Sequence, residues 1–440
     1  MEGTASGSEG DAARAEAEAE AQFQSQVLAN LPRNFTAHII HGLLGQTGFR
    51  LIQAPTFLSA YVYSLSGSDT AVGLSRASQA LGMFLTPVIG ATLIEHRRRV
   101  LPMVFGTGAG MRLAVLGLAL SGYFLGRHAN LVAICVFLGL YGFFTGMQSV
   151  TFSFLVSKVI PVDRRGALGG ARNALAGLVA SSVAFVGGFL VERNALGNGY
   201  ATVFLVAFAL ATGGLLSMLF IREPESPGVL PRRKLGSRLR ELPALLRADA
   251  GYRAYMLARA LGAAGAMAVP YYAIYAGKHT ALPGKLMGFV TAAYLVSQTL
   301  SSVAWGMLGD RRGFRSVLWS SLLTWTCATV LIAHGQGLPA VLLGFVALGA
   351  GQGGFQLGST NLVLEFGARE DLPMRIALAQ SAEQLVSIAA PMLGAFLIGA
   401  LSYQHMFWAT VALQGTACAV TLLRVSEPRH RRLPAPPIGS

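Results

Sequence analysis

Chemistry in this chain has to come from a few ionisable side chains set inside long apolar stretches. Arg50 lies in the middle of the stretch 36–63, and Gln46, Arg50, Gln53 and Phe57 share one helical face by their i, i+4, i+7 and i+11 spacing. A guanidinium there stays charged and can attract a carboxylate or phosphate. The other reading has Arg50 satisfying carbonyls at the helix break that Pro55 causes. Glu383 is the one acidic residue well inside such a stretch. It sits on a polar face with Gln380, Gln384 and Ser387, eight residues beyond Arg375 and therefore ~12 Å deep. An acid so placed is a candidate proton carrier; the alternative is a salt bridge, with Arg172 as partner. Arg112 lies about midway along its own stretch, where pairing between helices is an equal reading. His38, His41 and Arg259 are expected near the ends of theirs.

Neutral groups add a lining. Tyr294 and Gln298 share a face, as do Gln352 and Gln356 in the glycine-rich GAGQGGFQLG, and Tyr271, Tyr272 and Tyr275 follow Pro270. Such residues bind and move ligands rather than make bonds. The chain has no Walker loop, H-E-x-x-H or G-x-S-x-G. Cys135, Cys327 and Cys418 fall in apolar runs without metal-ligand spacing. No enzyme activity, cofactor or metal is expected.

The elements that must position these residues are membrane helices. Of 440 residues, 53% are hydrophobic and only 12% charged, with a mean hydropathy of +0.53. A soluble protein carries about 25% charged residues. Twelve apolar segments run roughly 36–63, 71–94, 100–125, 129–156, 166–191, 200–221, 254–276, 286–308, 314–334, 338–364, 375–400 and 403–424. Each is long enough to cross ~30 Å of hydrocarbon as a helix. The expected fold is an all-α membrane protein of twelve transmembrane helices in two pseudo-symmetric six-helix bundles.

The net charge of +14 is confined to short loops, which is a topology signal and not a nucleic-acid footprint. Loops after even-numbered segments carry Arg97, Arg98, Arg99, Lys158, Arg164, Arg165, Arg311, Arg312, Arg315, Arg369 and Arg375. Those after odd-numbered segments carry only Arg127, Arg193, Lys278 and Lys285. The even side is therefore expected to be cytosolic, with both termini inside, in the cytoplasmic (inner) membrane. Residues 1–35 read as a disordered cytosolic tail, 36–221 as the first bundle, 222–250 as a cytosolic linker, 251–424 as the second bundle and 425–440 as a second tail. The linker's Leu239, Leu242, Leu245 and Leu246 recur at helical spacing among arginines, which predicts an amphipathic helix on the membrane surface.

The halves repeat. An offset of 215 places Pro55 on Pro270, Gly73 on Gly288 and Glu95 on Asp310. Farther on the offset is 210, which places Arg165 on Arg375 and Asn173 on Glu383. Parallel repeats around a central cleft are a transporter architecture. Residues 306–315 read GMLGDRRGFR, and Gly306, Asp310, Arg311, Gly313 and Arg315 resemble the G-x-x-x-D-R-x-G-R/K loop signature of the major facilitator superfamily. The first copy, ATLIEHRRRV, is degenerate, with Glu95 in place of the aspartate. The resemblance spans about residues 36–424.

It implies that helices 1, 4, 7 and 10 line the cavity. It also implies that the loops gate one side, Asp310 meeting Arg164 or Arg165, and Glu95 meeting Arg369 or Arg375. Gly306 would allow close helix approach. The usual drug-antiporter signatures are missing: Tyr141 stands about where an arginine would be, and SVAFVGGF lacks a proline. The expectation is a monomeric secondary transporter for a small organic molecule, proton-coupled through Glu383 and working as an exporter. Two alternatives stand beside it, an organic-anion transporter or exchanger using Arg50 and a non-transporting assembly protein on the same scaffold.

Overall fold

The computed structural model describes residues 5–94, 96–226, 249–280, 282–366 and 372–425. Among these residues the regular structure is helical, without a strand. The first helix, α1, runs Ala5–His41, continues through a π-helical turn at Gly42–Gln46 and through Thr47–Gln53, stops, and resumes as Phe57–Ser66. Next come α2 (Asp69–Met83 with Thr86–Ile94), α3 (Leu101–Phe124), α4 (Arg127–Val159), α5 (Val162–Glu192) and α6 (Gly199–Ser217). The second half starts with α7 (Ala250–Gly265, a tighter 3-10 segment Ala266–Tyr271, then Tyr272–Thr280). It continues with α8 (Gly284–Arg312), α9 (Phe314–His334), α10 (Gly337–Leu362), α11 (Leu372–Ala400) and α12 (Tyr403–Leu423).

Ten of these, α2–α6 and α8–α12, are long and apolar enough to cross a membrane as single helices. The two remaining, α1 and α7, complete the twelve as interrupted helices. Their interruptions fall at Pro55 and Pro270, the pair that the 215-residue offset superposes. Ala54 swings to ψ 144° ahead of Pro55, the extended conformation that a following proline imposes. Pro270 lies inside the 3-10 segment of α7. Exposed leucine, valine and phenylalanine side chains such as Leu113, Val132, Leu300, Leu343 and Phe396 stud the outer faces. A chain in water would not leave so many outside, whereas lipid accepts them. The protein is a multi-pass membrane protein.

One expectation fails at the N-terminus. Much of the stretch assigned to a disordered tail is helical from Ala5 onward. Its alanines and glutamates are strong helix formers, and Gln24 donates to Glu20 one turn away at 2.8 Å. Composition without apolar periodicity suggested disorder, and propensity won. The predicted amphipathic helix of the linker lies outside the described residues.

The halves meet along two seams, α5 against α8 and α2 against α11. Glycine makes both possible. A Cβ on Gly188 would sit 2.5 Å from the Gly284 carbonyl oxygen and 2.7 Å from the Gly288 Cα. One on Gly73 would sit 2.8 Å from the Pro391 carbonyl oxygen. These backbones touch as only small residues allow. The contacts lie toward the helix ends that join at the odd-numbered loops. At the rim on that side, Tyr403 donates to Asp69 Oδ1 at 2.5 Å, the Lys285 amide donates to Glu192 at 2.7 Å, and Lys278 lies over the rings of both Tyr63 and Tyr403.

Candidate functional site

Midway along the seams, α1 and α8 face each other with polar side chains. Arg50 donates to Thr299 Oγ1 at 3.1 Å, and Thr56 shares a 2.7 Å hydrogen bond with Thr291. Gln53 reaches across to Tyr141 on α4, donating to its hydroxyl at 3.1 Å. On the opposite half, Tyr294 donates to Gln352 Oε1 at 2.5 Å, and Gln298 donates to the Tyr294 hydroxyl at 3.4 Å. Arg50 is thus tied to α8, Gln53 to α4, and Gln298 and Gln352 to each other through Tyr294. Gln46 is half-buried in the π turn, and Gln356 is exposed a turn along α10.

Arg76 joins this group unannounced. It reaches from α2 to the Ala54 carbonyl at 3.1 Å, with the Ser59 hydroxyl and Gln79 at 3.5 Å. The break at Pro55 frees the Ala54 carbonyl from helical pairing, and Arg76 satisfies it. The role foreseen for Arg50 as the alternative to ligand binding is filled by Arg76, which leaves Arg50 with a hydroxyl. Arg50 and Arg76 both act electrostatically on Tyr294. Among the described residues neither has a carboxylate within ion-pair distance. The sequence signal for Arg76 was its position as an arginine within the apolar segment 71–94, the same signal that singled out Arg50.

Four expected lining residues are packing residues instead. Phe57 is fully buried against Gly187 and Val203, because the break at Pro55 ends the face it shared with Arg50. Tyr272 is buried within the second half, stacked on Phe407 and bonded to Thr329 at 2.6 Å. Tyr275 donates to the Ala333 carbonyl at 3.0 Å. Tyr271 stands at the α2–α11 seam and donates to the Pro391 carbonyl at 2.7 Å.

Glu383 is paired, and its partner differs from the one considered. Arg259 of α7 donates from Nε at 2.9 Å and from a terminal nitrogen at 2.5 Å, both to Glu383 Oε2. Arg259 also donates to the Tyr255 hydroxyl at 2.7 Å, which in turn donates to the Ser359 carbonyl. Arg259 is buried, not snorkelling. Arg172 cannot serve Glu383, since it lies in the first half with its guanidinium 4.7 Å from the Phe152 ring.

The expected latch residues are engaged within their own halves. Arg164 pairs with the adjacent Asp163 at 3.4 Å, and Arg165 donates to the Ile160 and Ser157 carbonyls. Arg375 pairs with Asp249 at 3.3 Å, and Arg315 donates to the Thr421 and Leu422 carbonyls at the end of α12. Arg97, Asp310 and Arg311 are exposed. Gly313 takes φ 82° at the turn into α9, which only glycine adopts freely. Gly306 has open space where a Cβ would be, so it brings no helices together here. Glu95 and Arg369 lie outside the described residues. An unforeseen ion pair holds the same end of the first half. Glu223 accepts from the Val100 and Leu101 amides at 2.7 and 2.8 Å and from Lys158 at 2.7 Å.

Known proteins agree with this architecture. Residues 254–438 match the model of the Major Facilitator Superfamily. The chain is 24% identical over 378 residues to the multi-drug resistance efflux pump PmrA of Streptococcus pneumoniae serotype 4 (strain ATCC BAA-334 / TIGR4), covering 81% of this chain and 87% of that one. It is 26% identical over 361 residues to the PmrA homolog of Lactococcus lactis subsp. lactis (strain IL1403), covering 79% and 84%. The crystal structure of a D-xylose-proton symporter superposes with a TM-score of 0.70 at 16% identity, over 92% of this chain and 100% of that one. Two helical halves, matching interruptions in α1 and α7, and these likenesses lead to one conclusion: the chain has a transporter fold, and its second half is similar to the major facilitator superfamily.

Proposed function

We propose that the protein exports a small organic molecule from the cell, alternating access to the cleft between its halves. The observation that carries this is the polar lining between the halves, with Arg50, Gln53, Tyr141, Tyr294, Gln298 and Gln352 in hydrogen-bonded groups and glycine-rich seams closing the end at the odd loops. By the positive-inside argument the closed end faces outward, the even loops and both termini face the cytosol, and the membrane is the cytoplasmic one. The efflux function named for the two PmrA relatives supports the direction. The protein works as a monomer, since each chain carries both halves of the cleft.

Proton coupling runs through Glu383. Protonation of the carboxylate would release Arg259, and a freed guanidinium on α7 rearranges the second half. The proton coupling named for the D-xylose-proton symporter is in keeping with this. The latch residues Glu95, Arg97, Arg164, Arg165, Gly306, Asp310, Arg311, Gly313, Arg315 and Arg375 would act in the opposite conformation, when the even side closes.

A second reading concerns the substrate. Arg50 and Arg76 place two permanent positive charges at the cleft without a carboxylate partner among the described residues, which favours a substrate bearing a carboxylate or phosphate. Transport in proteoliposomes separates these claims. Arg50→Gln should lose anionic substrates and Glu383→Gln should lose pH-driven transport. Full anion transport in Arg50→Gln removes the substrate reading, and an unchanged pH dependence in Glu383→Gln removes the coupling reading.

A further inference from the structure

The first half contains a second polar cluster, away from the cleft. His38 and His41 of α1 and Arg172 of α5 all lie against one ring, that of Phe152 on α4. His41 stacks on it at 5.0 Å, His38 meets its edge at 5.5 Å, and the Arg172 guanidinium is 4.7 Å from its centre. Arg112 of α3 approaches from the other side of His41. Arg112 Nη2 and His41 Nε2 each lie 3.5 Å from the point where a Cβ on Gly45 would be. All four side chains are more than nine-tenths buried.

Their hydrogen-bonding capacity is left open. Arg112 Nε and Nη1 donate to the Ala211 and Gly108 carbonyls, each at 2.6 Å. Its Nη2, the Arg172 Nε and both ring nitrogens of His38 and His41 have no partner. Buried donors in native proteins are nearly always satisfied. Two guanidiniums cannot escape the penalty by losing a proton. Nor does either have a carboxylate partner among the described residues.

The two halves make the deficit specific. The repeat offset of 210 pairs Asn173, next to Arg172, with Glu383. In the second half Glu383 neutralises the Arg259 of α7. In the first half the corresponding apolar stretches, 36–66 of α1 and 166–191 of α5, offer histidines and arginines but no acid. The π turn at Gly42–Gln46 brings two glycines, Gly42 and Gly45, against Arg172 and Arg112, and π turns concentrate at functional sites.

We propose that this cluster binds a small monovalent anion of halide or nitrate size, held by Arg112, Arg172 and the N–H groups of His38 and His41. The anion supplies the negative charge that Glu383 supplies in the other half. The site lies within the first half and is independent of the substrate reading above.

The test uses purified full-length protein in detergent, titrated with sodium chloride, bromide or nitrate against sodium gluconate at constant ionic strength. The melting temperature should rise saturably, by about 3 °C at a hundredfold excess over Kd. Radiolabelled chloride should bind at about one per chain. Arg172→Gln and Arg112→Gln should lose both responses, and Arg50→Gln in the cleft should keep them. If Arg112→Gln does not fold, His41→Gln takes its place with the same expected loss. The proposal is overturned if chloride and gluconate give the same wild-type melting temperature and no chloride binds. It is equally overturned if Arg172→Gln retains the full response, or if Arg50→Gln alone abolishes it.

Discussion

Replacing Gly188 by valine should pry open the closed end of the cleft. Its Cβ position lies 2.5 Å from the Gly284 carbonyl oxygen and 2.7 Å from the Gly288 Cα, both backbone atoms that cannot rotate away. Reaching ordinary contact at 3.4 Å requires α5 and α8 to part by about 0.9 Å. Overpacking of this kind costs about 1–3 kcal/mol. The cost falls on the conformation in which the seam is closed and is relieved where it is open. A penalty of about 2 kcal/mol therefore multiplies the odd-side-open population roughly thirtyfold. The assay is pulsed electron paramagnetic resonance between spin labels at positions 196 and 401, two exposed leucines in odd loops of opposite halves. The background would have Cys135, Cys327 and Cys418 replaced, since all three are free. Gly106→Val on α3 is the control, because a Cβ there meets open space. The long-distance component should grow in Gly188→Val and stay constant in Gly106→Val. A folded Gly188→Val with the wild-type distance distribution, or an equal change in the control, would refute the reasoning.

Four further outcomes follow from the same contacts. Arg259→Leu strands the Glu383 carboxylate and should cost about 3 kcal/mol, while Arg259→Leu with Glu383→Leu should recover most of it; thermal denaturation of the three proteins measures this, and additive losses would contradict it. Tyr403→Phe removes the hydroxyl held by Asp69 and should weaken outer closure by about 1.5 kcal/mol, read as a longer distance between labels at 196 and 401; an unchanged distribution counts against the rim contact. Glu223→Ala leaves Lys158 buried without its anion and the start of α3 uncapped, so it should cost about 3 kcal/mol; hydrogen exchange at Val104 and its neighbours should rise sharply, and continued protection would show the pair to be dispensable. Asp310→Asn should impair transport more than Glu95→Gln, because only the second copy of the loop motif keeps its aspartate and glycines; the reverse order would sink the latch asymmetry.

Much of the architecture was legible in residue order because lipid imposes simple rules. An apolar run must be helical, and basic residues must stay in loops. The offset that paired Pro55 with Pro270 anticipated that α1 and α7 break at related places. Side-chain faces were harder to read. A face drawn from 3.6-residue spacing across Gln46, Arg50, Gln53 and Phe57 assumes one continuous helix. The π turn before Gln53 and the break after it rotate the segments, so Phe57 leaves the face. Arginines posed a related problem. Sequence marks Arg50, Arg76, Arg112, Arg172 and Arg259 alike as cations in apolar segments. Only the packing distinguishes the one facing a threonine, the one serving a broken helix, the two gathered around the histidines of α1 and the one bound to Glu383. The tyrosines after Pro270 were misread for a different reason. An aromatic ring with a hydroxyl serves equally in a cleft or in a core that offers a carbonyl, and here the core supplies Ala333 and Pro391.

The glycine seams carry a thermodynamic consequence. Where α5 lies on α8 through Gly188, Gly284 and Gly288, and α2 on α11 through Gly73, the touching surfaces are largely backbone. Parting these glycine contacts exposes little apolar side-chain area, and exposed apolar area is what gives protein transitions their heat-capacity change. The equilibrium between the two ends of the cleft should therefore shift only gently with temperature. A protein built this way keeps its two states balanced when the cell cools or warms, leaving ligand binding, not temperature, to decide which way it faces.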